Sequence, residues 1–298
     1  MSLFDRLVEQ ALREQSDLAP LRAVVEKELL HHDILREMAE SGLLHQLTFM
    51  GGTCLRACYG SNRLSEDMDF TGGAGFDRDG LSRLGTLLDE RLQEKYDLRV
   101  TTSEPTRDTG NVDTWKIRVI TRPERRDLPA QRINIDICSV PSYDRRPMLL
   151  RNPYGVDMGT SGLILQAESR EEILADKLIA LALRSNRLKN RDLWDIGWLR
   201  QQNVALPLAL IPKKIADHRC TPARFLELLN RRKQQPREEK GLRNDFVREM
   251  ARFLPSRVIT DTVEQEPFWV WLMDIIDEEC GRVEHSLSGS STPGPFRM

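Results

Sequence analysis

The sequence predicts an α/β (α+β) protein, a mixed sheet flanked by helices and followed by a helical C-terminal lobe. Three observations carry the prediction. Segments such as Val112–Thr121 and Arg132–Val140 alternate apolar and polar residues with the period of two of a half-buried strand. Segments such as 81–92 and 170–188 repeat Leu and Ile at three- and four-residue spacing, the stripe of an amphipathic helix. Beyond about residue 155 the strand patterns give way to helical ones. The chain therefore divides into an α/β lobe with N-terminal helices at 1–155, a helical lobe at 156–285, and a tail at 286–298 whose Ser, Gly and Pro content predicts disorder.

In order, residues 4–15 and 19–41 read as helices, the second with Pro20 in its first turn and Gly42 at its end. Leu47-Thr48-Phe49-Met50 is a short apolar run that stops at glycines, hence a buried strand. Thr53–Tyr59 follows as a short helix, and Asp67–Thr71 as the next strand. Asp79 is placed to cap a helix carrying Leu81, Leu84, Leu88 and Leu92. Strands at 98–103 and 112–121 precede the cleanest one, where Ile133, Ile135 and Ile137 face one way and Asn134, Asp136 and Cys138 the other. Residues 141–162 read as loop. Helices at 170–188 and 191–201 follow, then further helices from Leu206, the last from Glu266 to Glu279.

Composition excludes several classes. No apolar run reaches eighteen residues, so no membrane-spanning helix is expected. Met1–Arg6 lacks the apolar core of a signal peptide. Five cysteines, odd in number and without a CxxC pair, fit a reducing cytoplasm. The net charge of −2 hides an asymmetry: residues 183–257 carry 18 Lys+Arg against 8 Asp+Glu. Such a basic stretch in an acidic chain fits either an anionic partner or a solvated face of basic helices.

The chemistry centres on Gly51-Gly52-Thr53 and, fourteen residues after Thr53, Asp67-Met68-Asp69. On a strand Asp67 and Asp69 share a face. A third acid, Asp136, sits in the middle of another strand, where Asp is disfavoured. Carboxylates on neighbouring strands supply the hard oxygens that one or two Mg²⁺ ions take in phosphoryl transfer. Gly52 allows close approach of backbone to phosphate, Thr53 adds a hydroxyl, and Arg63 and Ser65 are candidates for phosphate oxygens. An acidic pair is more often a surface feature; the apolar strand, the glycine turn and the third acid argue against that here.

The segment GGTxLR…YG…R.SEDMDF resembles the nucleotidyltransferase superfamily of DNA polymerase β. It is most similar to the AbiEii/AbiGii abortive-infection toxins of type IV toxin–antitoxin systems, which include the MenA-type toxins. Their later motif, a helical lysine followed by an Arg-Asp-x-x-Asp-like segment, is matched by Ala175-Asp176-Lys177-Leu178 and Arg191-Asp192-Leu193-Trp194-Asp195. The resemblance covers residues 25–200. It implies a nucleotidyltransferase-like sheet and transfer of a nucleotide from an NTP, to the 3′ end of tRNA in several members, with growth arrest. It implies that Gly52 and Thr53 hold the triphosphate and that Asp67 and Asp69 bind Mg²⁺. Asp136 would be metal ligand and base, and Lys177 and Arg191 would contact the nucleotide. Asp195 would complete the site, and an antitoxin partner is implied as well.

On this reading the protein is a cytoplasmic, Mg²⁺-dependent toxin acting on RNA, with Arg184, Arg187, Lys189 and Arg231-Arg232-Lys233 available to the RNA backbone. Two alternatives stand beside it. A small-molecule nucleotidyltransferase of the antibiotic-modifying sort uses the same acids, but a basic stretch suits RNA better than a cationic substrate. A non-catalytic NTP- or RNA-binding module leaves three strand acids without a cation to offset their desolvation. His31-His32-Asp33 is read as a helix surface or core edge. The tryptophans at 194, 198, 269 and 271 are read as core.

Overall fold

The computed structural model describes residues 2–105, 111–124, 129–184, 188–239 and 241–289, with side chains at 237 and 238 left aside. The chain forms two units, Met1–Ser169 with Ala251–Val258, and Arg170–Met250 with Ile259–Met298. Arg187 of the expected basic set lies outside the described residues, as do 290–298 of the expected tail.

The first unit opens with α1 (Leu3–Glu14), a 3₁₀ turn holding Pro20, and α2 (Arg22–Glu40). Then come β1 (Thr48–Met50), α3 (Gly51–Ala57), β2 (Met68–Thr71), α4 (Leu84–Tyr96) and strands β3 (Arg99–Ser103), β4 (Val112–Ile120) and β5 (Gln131–Cys138). Two further strands, β6 (Arg145–Leu149) and β7 (Ile164–Glu168), complete a seven-stranded sheet of order β3-β4-β5-β2-β1-β7-β6. It is mixed: β2 with β5 and β1 with β7 are parallel, and the other pairs antiparallel. Because β7 pairs with β1 at Phe49↔Ala167, residues 156–169 belong with the sheet rather than with the helices after it. A single turn, α10 (Ser256–Val258), also belongs to this unit.

The expected alternation on β5 is present. Ile133, Ile135 and Ile137 are buried with Trp115, Ile117 and Val119 of β4, on the face that packs against α2, while α4 packs on β3. Each such aliphatic side chain contributes about 1.5–3 kcal/mol by leaving water. Asn134, Asp136 and Cys138 on the other face are half-buried. Between β1 and β2 the paired Phe49 and Phe70 rings lie 5.1 Å apart and extend the same apolar layer.

Four local expectations are corrected. Asp77, not Asp79, supplies the cap, accepting from the Asp79 N–H at the start of a 3₁₀ turn, and α4 begins later at Leu84. The segment 141–162 contains β6, whose three residues Arg145, Arg146 and Pro147 are exposed. As an edge strand it tolerates proline and needs no apolar alternation. His31, His32 and Asp33 are buried, not superficial. Asp33 accepts from Lys95 Nζ at 2.6 Å and Tyr96 Oη at 2.8 Å. His32 Nδ1 lies 3.0 Å from Thr160 Oγ1, and burial pulls its pKa down to about 4. Finally, the last helix runs on to Gly289, ten residues past its expected end.

The second unit holds α5 (Arg170–Leu183), α6 (Asn190–Gln201), α7 (Ile211–Asp217), α8 (Pro222–Glu238), α9 (Leu242–Met250) and α11 (Glu266–Gly289). Helix α5 packs on α6, α7 and α8, and α11 on α6 and α8. Trp194, Phe246, Phe268, Trp269 and Trp271 form a chain of ring contacts with centroids 5.4–6.5 Å apart. The expected core role fits Trp194 fully, whereas Trp198, Trp269 and Trp271 are half-buried. No described helix is long and apolar enough to cross a membrane.

Candidate active site

The fold brings the three predicted acids together in the first unit. In the parallel β2–β5 ladder Asp69 lies directly beside Asp136, so their backbones are about 4.8 Å apart. Asp67 immediately precedes β2, and its Oδ1 accepts the Asn134 backbone N–H at 3.0 Å. That side chain occupies the place a carbonyl takes further along the ladder, which fixes the carboxylate against β5. Its Oδ2 has no protein partner among the described residues. Thr114 of β4, opposite Asp136 in the register, donates to Asp136 Oδ1 at 2.6 Å. All three acids are half-buried.

The glycine turn meets these acids through Gly51. Its φ of +74° is a conformation that disfavours L side chains, and a Cβ there would stand 2.6 Å from Asp69 Oδ2. Only glycine at 51 lets the Asp69 carboxylate lie over the turn, a constraint carried in the sequence by the doubled glycine. Gly52 is buried at the start of α3.

The other predicted phosphate contacts face inward. Thr53 Oγ1 is buried, 2.6 Å from Ser65 Oγ and bonded to the Asp67 carbonyl. Arg63 is buried and donates to the Leu64 carbonyl at 3.0 Å. Thr53 and Ser65 thus tie α3 to the segment that delivers Asp67. Glu28 of α2, which the sequence did not single out, holds the same segment. Its carboxylate accepts the Ser65 N–H at 2.8 Å and Arg56 Nε at 3.1 Å, and is bonded by Tyr154 Oη. Burial alone would lower the Arg56 pKa, but the Glu28 carboxylate raises it above the ordinary arginine value.

The second unit assembles the later motif around one ammonium. Lys177 Nζ of α5 lies 2.8 Å from Asp192 Oδ1 and 2.8 Å from Asp195 Oδ2, both on α6 and both buried. Burial pushes the Asp192 carboxyl up, yet Lys177 and then Arg184, 3.1 Å from its other oxygen, hold it below the ordinary value. Arg191 pairs with Glu249 at 3.6 Å. A second buried cation, Lys214 of α7, joins Glu172 at 2.7 Å and Asp176 at 2.6 Å, one turn apart on α5. No sequence signal beyond the helical stripe marks that pair.

The basic stretch is largely engaged within the helices. Arg184 pairs with Asp192, Arg232 bonds the Arg184 carbonyl and Gln235, and Lys233 lies 3.6 Å from Glu284. Arg231 and Lys189 are exposed.

The family model described as "Nucleotidyl transferase AbiEii toxin, Type IV TA system" matches residues 33–272. No curated protein matches the sequence. Among solved structures, MenT4, a nucleotidyltransferase toxin from Mycobacterium tuberculosis H37Rv, superposes with a TM-score of 0.55 at 17% identity, covering 96% of this chain and 99% of that one. JHP933 from Helicobacter pylori gives a TM-score of 0.48 at 18% identity over 95% and 99% of the two chains. At these identities the first likeness speaks to the fold.

Proposed function

The chain belongs to the AbiEii family of nucleotidyl transferase toxins of type IV toxin–antitoxin systems, and from that premise we propose that it transfers nucleotides from an NTP to RNA, with a tRNA 3′ end as acceptor. The observation that carries the proposal is the placing of Asp69 beside Asp136 on adjacent parallel strands, with Asp67 fixed at the head of the same ladder.

Three carboxylates on one half-buried face suit a hard divalent cation, since that much negative charge is costly to gather without one. Asp67, Asp69 and Asp136 are the residues that would hold one or two Mg²⁺ ions. Bound there, Mg²⁺ supplies charge neutralisation for the phosphates and activation of the attacking hydroxyl. The remaining roles fall to the chain. Asp136, oriented by the Thr114 hydroxyl, accepts the proton of the acceptor 3′-hydroxyl. The Gly51-Gly52 turn gives the triphosphate backbone N–H groups at close approach. Thr53, Ser65 and Arg63 act indirectly in this proposal, by fixing the segment that carries Asp67. In the second unit the family resemblance assigns Lys177, held 2.8 Å from Asp192 and 2.8 Å from Asp195, and Arg191 to nucleotide contact. Toxin action by such transfer implies a cytoplasmic site and a cognate antitoxin.

The test is incubation with each labelled NTP and total tRNA, followed by gel separation. Label should move to tRNA in the wild type and not in Asp69→Ala. Transfer persisting in the variant would remove the site assignment. Label appearing only on added aminoglycosides would favour the small-molecule reading.

A further inference from the structure

The open face of the sheet beyond the acids is strongly basic. Along β4 and β5 the register sets Thr114 opposite Asp136, Lys116 opposite Asn134, and Arg118 opposite Arg132. Lys116, Arg118 and Arg132 are exposed, as is Arg99 of β3, whose second neighbour Thr101 pairs with Arg118. These side chains share the face of Asp136, because Trp115, Ile117, Val119, Ile133 and Ile135 between them are buried on the other. None of the four pairs with a carboxylate among the described residues.

Two ordinary explanations fail. Lysine and arginine guard exposed edge strands against pairing, but β4 and β5 are interior strands. Like charges directly opposite in an antiparallel pair destabilise it, so Arg118 against Arg132 works against the fold. An anion lying over the pair reverses that sign. From Asp136 the basic side chains extend four residues along β5, about 13 Å at roughly 3.3 Å per residue, so they form a line leading to the acids.

We propose that Lys116, Arg118 and Arg132, with Arg99 at the margin, form a track for the phosphodiester backbone of the RNA acceptor strand, which enters along this face and ends at Asp69 and Asp136. The inference rests on the reading of RNA as acceptor. It moves the main RNA contact from the basic helices of residues 183–257, whose cations are largely engaged with their own carboxylates and carbonyls, to the sheet of the first unit.

The test is fluorescence anisotropy of labelled tRNA against the full chain, with Mg²⁺ and no NTP, across a salt series. The triple variant Lys116→Gln/Arg118→Gln/Arg132→Gln is compared with Arg224→Gln/Arg231→Gln/Arg248→Gln, which removes the same charge from exposed positions of the helical unit. Each single-strand phosphate contact contributes about 0.7 to the slope of log affinity against log salt. The track variant should therefore lose about 2 from the slope, and the KM for RNA should rise at least tenfold while the KM for NTP holds. The control variant should bind as the wild type does. Equal slopes for wild type and track variant, with RNA still bound, overturn the track alone. So does a slope lost only in the control, or a rise confined to the KM for NTP. A wild type that binds no RNA overturns the track together with the reading of RNA as acceptor.

Discussion

Glu28 touches none of the three acids, yet its removal should disable them. Glu28→Ala leaves the Arg56 guanidinium, 13% exposed, without its carboxylate, and deprives the Ser65 N–H and Tyr154 Oη of their acceptor. Taking one partner from a buried ion pair costs about 3–5 kcal/mol. The stranded neutral donors do not simply add to this, because they belong to the same network. Glu28→Gln keeps the volume and an acceptor oxygen, so it should lose only the charge-assisted part, about 1.5–3 kcal/mol. In urea unfolding followed by circular dichroism, with a slope of about 2–3 kcal/mol per molar, the Ala variant should lower the midpoint by about 1–2 M and Gln by roughly half that. Transfer activity should fall in the same order, since Ser65 stands two residues before Asp67. A midpoint shift under about 0.3 M for Ala, or a larger shift for Gln than for Ala, would refute the network as described.

Gly51→Ala should fold but reduce transfer by on the order of 10²-fold, because its Cβ displaces the Asp69 carboxylate by about an ångström; near-normal activity would mean that Asp69 does not need its present place. His32 titrates near 4 when folded against 6.5 otherwise, so between those values the unfolded chain holds a proton that the folded one lacks, and stability rises with pH. Moving from pH 7 to pH 4 should cost about 3 kcal/mol through this group alone. His32→Asn should flatten that part of the stability curve, leaving the contribution of His31, whose pKa burial also lowers. Asp192 acts in the same direction at lower pH: its lowered folded pKa gives stability above the usual value of 3.8 that is lost as pH falls through the folded value. Asp192→Asn should therefore show a shallower acid limb below about pH 4 by circular dichroism.

The acids were legible because each breaks a local rule. Asp136 is a charge in the middle of an Ile-rich strand, and Asp67 and Asp69 alternate with Met68 and Phe70 beside a glycine turn. Periodicity likewise exposed β5 and α5, whose buried stripes are long. It could not expose β6, an exposed edge strand with no buried face to imprint an alternation. Nor could it show which way short polar side chains turn. Thr53 and Ser65 read as phosphate donors from spacing alone, but they bond one another in the interior, and that depends on chain segments twelve residues apart meeting. Glu28 was illegible for a related reason, since its partners Ser65 and Tyr154 lie 37 and 126 residues away. The basic stretch of 183–257 drew attention by its local density, whereas the track on β4 and β5 is sparse in sequence and dense only after pairing.

The most direct measurement is the rate of nucleotide transfer to tRNA as a function of Mg²⁺ concentration, in the wild type and in Asp69→Asn. The site as assigned predicts no transfer in a chelator, saturable recovery with Mg²⁺, and a loss of about three orders of magnitude or more in the variant at every concentration. Transfer that survives the chelator, or that proceeds equally well in Asp69→Asn, would contradict it.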